Sequence, residues 1–522
     1  MPRNRSTARP ALVLGPKQIS NAVAVGATDH RSVRIWCRVS RPGTYRLTLR
    51  RGARVVGAGS FTVGGGRDNT TTVLYPNDFP GQEPLTPLTR YRFRVAREDE
   101  LEVVGGGHFE TFPARPEDTP ARFSIGVMSC HQPFNSDGVL SPHRTRLLDA
   151  LPRALDHSVK LLIAAGDQIY ADEPGELSLF DERYSADLAA TGGAPILSVD
   201  VDRIRAAYQD RYRSFWYPLP WRKLLSTRPV YPVLDDHDIV NNAGSVPEHQ
   251  NPAWRRLFQG ARLAYMDYQG SLLRPWDGRD LPAHFGYRAD YGHTAIFAFD
   301  LRSQRRVGAV DRDARLIDED QHEAFRRFLL ERRGARVVLI VTSVPLIHIP
   351  EWLTAVGNAV LDRHVAFLDH WSLRRYHPDR DRVFDAIREQ LAATQGKQKI
   401  VVVGGDVHVG AAFVLTWRDL HKHQFYQFTS SPVSNRLLRW QAAPSRWGPE
   451  LFAQTGATYD DKLGVRLLRP SVATPTAGNP IAVQNFGLID VESQGDRTHV
   501  RFRFLGADDD GGVRELFRTG LL

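Results

Sequence analysis

Apolar and polar positions change rhythm along the chain. From about residue 20 to residue 113 they alternate: Val33, Ile35, Cys37 and Val39, then Tyr45, Leu47 and Leu49, then Tyr91, Phe93 and Val95. A period of two, broken by turns rich in Gly and Pro, predicts the short strands of an all-β sandwich. Leu85, Pro87, Thr89 and Tyr91 precede one such strand. That spacing predicts a tyrosine corner, in which the phenol bonds back to nearby backbone. Cys37 falls on the inward face of its strand, which predicts a core role.

After the segment PARPEDTP (113–120) the pattern becomes one of short apolar runs separated by amphipathic stretches. The runs are Phe123–Met128, Leu161–Ala165, Pro229–Leu234, Thr294–Leu301, Val337–Val344, Ile400–Val403 and Gln424–Phe428. Helical periodicity covers His143–His157, Asp318–Arg333 and Arg382–Gln395. Alternating strands and helices predict α/β layering. The expected organisation is a tail (1–19), a β-sandwich (20–113) and one large domain (121–510). No internal repeat is visible.

Composition narrows the picture little. Hydrophobic residues make up 42% and charged residues 24% of 522, which excludes disorder and collagen-like repeats. No apolar run reaches the roughly 18–20 residues of a membrane helix. The net charge of +9 is almost wholly arginine, because only seven lysines occur. Without interleaved aromatic and basic motifs or a known module, it does not predict a nucleic-acid surface. Two cysteines in different predicted domains argue against a disulfide framework. The first twenty residues show neither a secretory apolar region nor adjacent arginines. The sequence as given therefore reads as cytoplasmic, or as secreted if the true start lies upstream. Nothing in these patterns speaks to oligomeric state.

The chemistry sits at the ends of the apolar runs. One ends in Ser129-Cys130-His131. Others end in Gly166-Asp167-Gln168-Ile169-Tyr170-Ala171-Asp172, in Asp235-Asp236-His237-Asp238 with Asn241 beyond, and in Gly404-Gly405-Asp406-Val407-His408. Strand ends are where α/β sheets place ligands. A lone Gly-Asp after a strand is an ordinary turn; four such ends, all bearing Asp, His, Cys or Tyr, predict a metal site. Carboxylate and imidazole suit hard or borderline cations. A shared carboxylate such as Asp167 suits a two-metal clamp for phosphoryl transfer. Each residue also has a plainer reading: Tyr170 facing the core, Cys130 packing a strand end, His237 supporting a ligand.

The ordered pieces Gly166-Asp167-x-x-Tyr170, Asp235-Asp236-His237-Asp238 and Gly405-Asp406-x-His408, with Cys130 where most relatives carry aspartate, resemble the PhoD-type alkaline phosphatases of the calcineurin-like metallophosphoesterase superfamily. Phe299–Arg305, Asp369-His370-Trp371 and Phe428–Pro432 add to the likeness, which spans about residues 20–505. The resemblance implies an α/β layered metallophosphatase core, a central β-sandwich flanked by helices, preceded by a small fibronectin- or Ig-like sandwich. It implies a metal-dependent phosphoesterase acting on phosphate mono- or diesters through a metal-bound hydroxide. Asp167 would bridge the metals. Cys130, Tyr170 and either His408 or Asp406 would hold Fe³⁺. Asp236 would serve a Ca²⁺-like site, with Zn, Mn or Mg as other candidates. His237 would touch the phosphate or protonate the leaving group. His131, Asp172, Asp238, Asn241, Arg302 and His348 are further candidates for supporting or substrate roles. A non-catalytic phosphatase-like binding protein is the alternative. The segments Glu351–Asp381 and Arg436–Pro480, rich in Trp and Arg, are candidate lids.

Overall fold

In the computed structural model the described residues are 18–99, 103–173, 175–307, 313–348, 369–420, 423–435, 449, 463–471 and 478–522. The alternating N-terminal segment forms β1 (Ala22–Thr28), β2 (Val33–Arg38), β3 (Gly43–Arg51), β4 (Arg54–Val63), β5 (Thr70–Tyr75), β6 (Arg90–Arg97) and β7 (Val103–Glu110). They make two antiparallel sheets, β1-β2-β5 and β4-β3-β6-β7. Val33, Ile35, Cys37, Leu47, Leu49 and Phe93 fill one buried cluster between them. The tyrosine corner is present: the Thr86 amide donates to Tyr91 Oη at 2.9 Å.

The sandwich does not stand apart. Trp36 turns away from the sandwich core and lies edge-on to Trp216, 5.0 Å between centroids. Its indole N–H donates to the Asp267 carbonyl at 2.8 Å. Asp68 accepts from Arg38 and, across the junction, from Arg213 and Tyr268. Backbones also meet there: a Cβ on Gly107 would collide with the Ser226 carbonyl.

The large domain holds the remaining strands: β8 (Arg122–Met128), β9 (Val159–Ala164), β10 (Val230–Pro232), β11 (Tyr287–Tyr291), β12 (Thr294–Ala298), β13 (Val337–Val341), β14 (Lys399–Gly404), β15 (Ala411–Trp417), β16 (Gln424–Thr429), β17 (Leu463–Leu467), β18 (Phe486–Gln494), β19 (Arg497–Ala507) and β20 (Val513–Arg518). One sheet runs β10-β9-β8-β18-β19-β20 and the other β11-β12-β13-β14-β16-β15-β17. Apolar side chains of both, among them Ile125, Ile163, Leu339, Val403 and Phe502, form a shared core. The outer face of the first sheet is covered by α1 (Pro142–Ala154), α3 (Val201–Phe215), α4 (Leu219–Thr227) and α5 (Pro252–Tyr268), with short α2 (Glu182–Asp187) nearby. The second is covered by α6 (Glu319–Glu331) and α7 (His377–Ala393). Helix α7 starts five residues before the periodicity suggests, with Pro378 in its first turn, where a missing N–H costs nothing.

Topology then fixes the site. β8, β9 and β10 are mutually parallel, as are β12, β13, β14 and β16. Their carboxyl ends share one edge of the layered core. Most of the two candidate lid segments lies outside the described residues; in the first, Asp369, His370 and Trp371 are buried.

Candidate metal centre

Four groups of potential ligands converge at that edge: Cys130-Asp167-His408; Asp167-Asp236-His237; Asp167-Asp235-Asp236-Asp406; and Asp369-His370-Asp406. Within each, the ligand atoms lie within 4.8 Å of one another. Asp167 belongs to three of the four.

The backbone is bent to achieve this. Cys130, Asp167, Asp406 and His408 all have positive φ, between 55° and 62°, a region that L-residues rarely occupy. Such strain collects at functional sites because the surroundings hold it in place. Here Cys130 N–H donates to the Gly166 carbonyl at 3.3 Å and His131 N–H to the Asp167 carbonyl at 2.8 Å. Gly405 packs against the Ala165 carbonyl and Ser129, too close for a Cβ. That contact lets the β14 loop reach the ends of β8 and β9.

Cys130 Sγ lies 3.3 Å from Asp167 Oδ2. The Tyr170 hydroxyl is 3.2 Å from the same oxygen and 3.0 Å from His408 Nε2. Thiol, carboxylate, phenol and imidazole thus surround one point. Burial, reinforced by Asp406, pushes the Cys130 thiol up to about 11. Burial, then Cys130 and the neighbouring carboxylates, raises Asp167 well above the carboxylate range. His408 is driven down to about 3, first by burial and then by His237 and Arg144, so its ring is neutral and able to ligate.

On the other side of Asp167 the carboxylates crowd together. Arg302 is a cation built into that crowd: its side chain is wholly buried, Nε donates to Asp235 Oδ1 at 2.6 Å, and Nη2 donates to Asp369 Oδ2 at 2.8 Å, 3.4 Å from Asp236 Oδ1; Arg305 Nη1 also lies 3.8 Å from Asp369 Oδ2. Asp369 is held down at about 2: burial opposes its charge, but Arg302 and His370 prevail. Asp406 is raised well above its ordinary range by burial and by Asp369, Asp235 and Asp236.

His237 is oriented separately. Its Nδ1 lies 2.7 Å from Asp172 Oδ1, while Asp172 Oδ2 accepts from the Asn241 amide at 2.7 Å. Burial disfavours a charged ring, yet Asp172 and Asp236 hold His237 protonated, well above its usual range. The ring stacks on Tyr170 at 4.3 Å.

Several candidates lie outside these groups. Asp238 is a backbone clip: its Oδ1 accepts from the Gln168 and Ile169 amides and its Oδ2 from the Asp235 amide. His131 packs flat on Trp221, 4.0 Å away, and bonds to Ser434 and the Phe215 carbonyl. Asn241 contributes its backbone amide. A substrate-facing Arg302 does not fit its complete burial among three carboxylates. His348 is buried beside His370, 6.1 Å between rings; His370, not His348, joins the ligand groups. In the sequence Asp235, Asp369 and His370 stand out only as motif residues, and Ser431 and Asn435 do not stand out as site residues. Asn435 lies 3.3 Å from His408 Nε2.

A model of the PhoD-like phosphatase family matches residues 125–501. The chain belongs to the PhoD-like phosphatase family. Among solved structures it is similar to one described as the structure of PhoD, with a TM-score of 0.65 at 15% identity, covering 96% of this chain and 93% of that one. A Bifidobacterium dentium β-glucuronidase bound to coumarin-3-O-glucuronide aligns at a TM-score of 0.26 and 10% identity, over 74% of this chain and 53% of that one, and bears on nothing here. No curated protein matches the sequence. The PhoD-like chain is a phosphatase, a hydrolase of phosphoric esters, and a metal-binding enzyme. The non-catalytic alternative finds no support. Among the described residues no helix is long and apolar enough to cross a membrane.

Proposed function

We propose that the enzyme is a calcineurin-like metallophosphoesterase that cleaves phosphate mono- or diesters with iron and calcium. The supporting observation is the place of Asp167 between two unlike donor sets. On one side a thiolate and a phenolate would offer anionic, polarisable donors, with a neutral imidazole beside them, a set that suits Fe³⁺; on the other, Asp235, Asp236 and Asp406 offer the oxygens that suit Ca²⁺. The donors fit cations on electrostatic grounds as well. Buried Asp167, Asp235 and Asp236 and half-buried Asp406 crowd around the Arg302 guanidinium, and one guanidinium does not balance that charge, so they demand either protons or further positive charge. Zn, Mn or Mg remain substitutes for the oxygen-rich set.

Bound cations supply an acidified water and neutralise charge on the phosphoryl oxygens. The chain's own residues supply the rest. Asp167 holds the two donor sets in register. The Asp172–His237 pair keeps a proton on the imidazole, and with Nδ1 engaged, Nε2 is the nitrogen that can protonate the leaving oxygen. Arg302 fixes Asp235 and Asp369 without touching substrate.

The test is hydrolysis of p-nitrophenyl phosphate and bis(p-nitrophenyl) phosphate at alkaline pH, with metal analysis of the same sample. Turnover of at least one ester, lost on chelation, together with bound iron and calcium, is expected. Turnover indifferent to chelation would overturn the proposal; turnover with other metals would overturn only the iron–calcium assignment.

A further inference from the structure

Ser431 sits just beyond the end of β16, fully buried, and touches two members of one ligand group that arrive on different strands. Its Oγ lies 3.1 Å from Cys130 Sγ. The same oxygen accepts the backbone N–H of His408 at 3.0 Å. The Ser431 carbonyl is itself held by Asn485 Nδ2 at 2.6 Å, which fixes the residue from the far side.

The direction of the bond to sulfur follows from what else surrounds it. The other close neighbours of Cys130 Sγ are Asp167 Oδ2 and the Asp406 carbonyl, each at 3.3 Å. The Asp406 carbonyl accepts only, and Asp167 does too once it is the ionised bridge of the proposed metal site, so neither donates to a thiolate. Ser129 is nearby at 3.5 Å, but its hydroxyl already donates to the Ser430 carbonyl at 3.0 Å. The Tyr170 hydroxyl also bonds to the sulfur, but as a metal-bound phenolate it would have no proton to give; once Cys130 is ionised, Ser431 is then the described neighbouring hydroxyl with a proton to give it.

We infer that Ser431 is a positioning residue: its hydroxyl donates to the Cys130 thiolate, limits how much charge the sulfur passes to the metal, and ties that sulfur to the His408 backbone. This rests on the reading of Cys130 as a thiolate ligand. Hydrogen bonds to a ligating sulfur stabilise its filled orbitals and tune the metal it binds. Without the bond, the sulfur orbitals rise and the sulfur-to-iron transition moves to lower energy.

The experiment compares visible spectra and metal release to a chelator for the wild-type holoenzyme and the Ser431→Ala, Ser129→Ala and Cys130→Ser variants. Ser431→Ala should shift the sulfur-to-iron band to longer wavelength and loosen the metal by about 10–100-fold, the usual effect of losing a ligand's hydrogen-bond partner. Ser129→Ala removes a buried hydroxyl from the same neighbourhood and should leave the band in place. A Ser431→Ala band at the wild-type wavelength, or an equal shift in Ser129→Ala, would overturn the inference while leaving the thiolate ligand intact. A colourless wild type whose metal content is unchanged by Cys130→Ser would overturn both.

Discussion

Replacing Arg302 with alanine tests the electrostatic design of the site. The guanidinium makes two short bonds, 2.6 Å to Asp235 and 2.8 Å to Asp369, with Asp236 at 3.4 Å, and water reaches none of these side chains to any extent. Removing one partner of a buried ion pair costs about 3–5 kcal/mol, because the other charge is left uncompensated. Unfolding entropy of about 2.1 cal/mol/K per residue, over a cooperative unit of roughly 400 residues, gives about 0.8 kcal/mol/K. The metal-free variant should therefore melt about 4–6 °C below the metal-free wild type, by scanning calorimetry at a fixed rate. The sign of the metal response is the sharper test. Added divalent cation replaces the missing charge, so it should raise the melting temperature of Arg302→Ala more than that of the wild type. A variant that melts with the wild type, and responds identically to metal, would refute the view that these carboxylates are held together by positive charge.

Three further changes probe the other parts. Asp167→Asn should lower kcat by at least about 10²-fold while preserving the melting profile of the metal-free protein, since the side chain links donor sets rather than packing the core; full activity would reduce Gly166-Asp167 to a turn. Asp172→Asn should lower kcat by about 10²-fold with unchanged metal content, because His237 loses the carboxylate that keeps it protonated; metal loss instead would make the pair a structural support. Limited proteolysis should cut the exposed part of segment 113–120, yet the fragments should co-elute because buried Trp36 and the ion pair of half-buried Asp68 with Arg213 tie the two parts across the junction; separation on gel filtration would contradict that interface.

The strand ends were legible because each is a short apolar run delivering a polar residue at a sheet edge, a pattern carried by neighbours in sequence. Cys130, Asp167, Asp236 and His408, which join the candidate ligand groups, all stand at such ends. Asp369 and His370 reach the site from the segment after β13 rather than from a strand end, and no local period marks them. Arg302 does follow a strand, but whether an arginine there turns inward or toward substrate depends on Asp235, 67 residues away. The C-terminal strands were unreadable for a related reason: β18 pairs with β8, with Ile489 opposite Ile125, and no short window encodes such a pairing. Helices α3 to α5 bury aromatic residues such as Tyr208, Tyr212 and Tyr268, which blurs the apolar stripe that reveals an amphipathic helix.

Catalysis by cations gathered around Asp167 is tested most directly by metal analysis coupled to activity. Protein purified without added chelator should carry at least about two metal ions per chain, as a two-metal clamp requires. Removing them should abolish phosphate-ester hydrolysis, and readdition should restore it in the wild type but not in Asp167→Asn. Undiminished hydrolysis by protein shown to be metal-free would contradict the account.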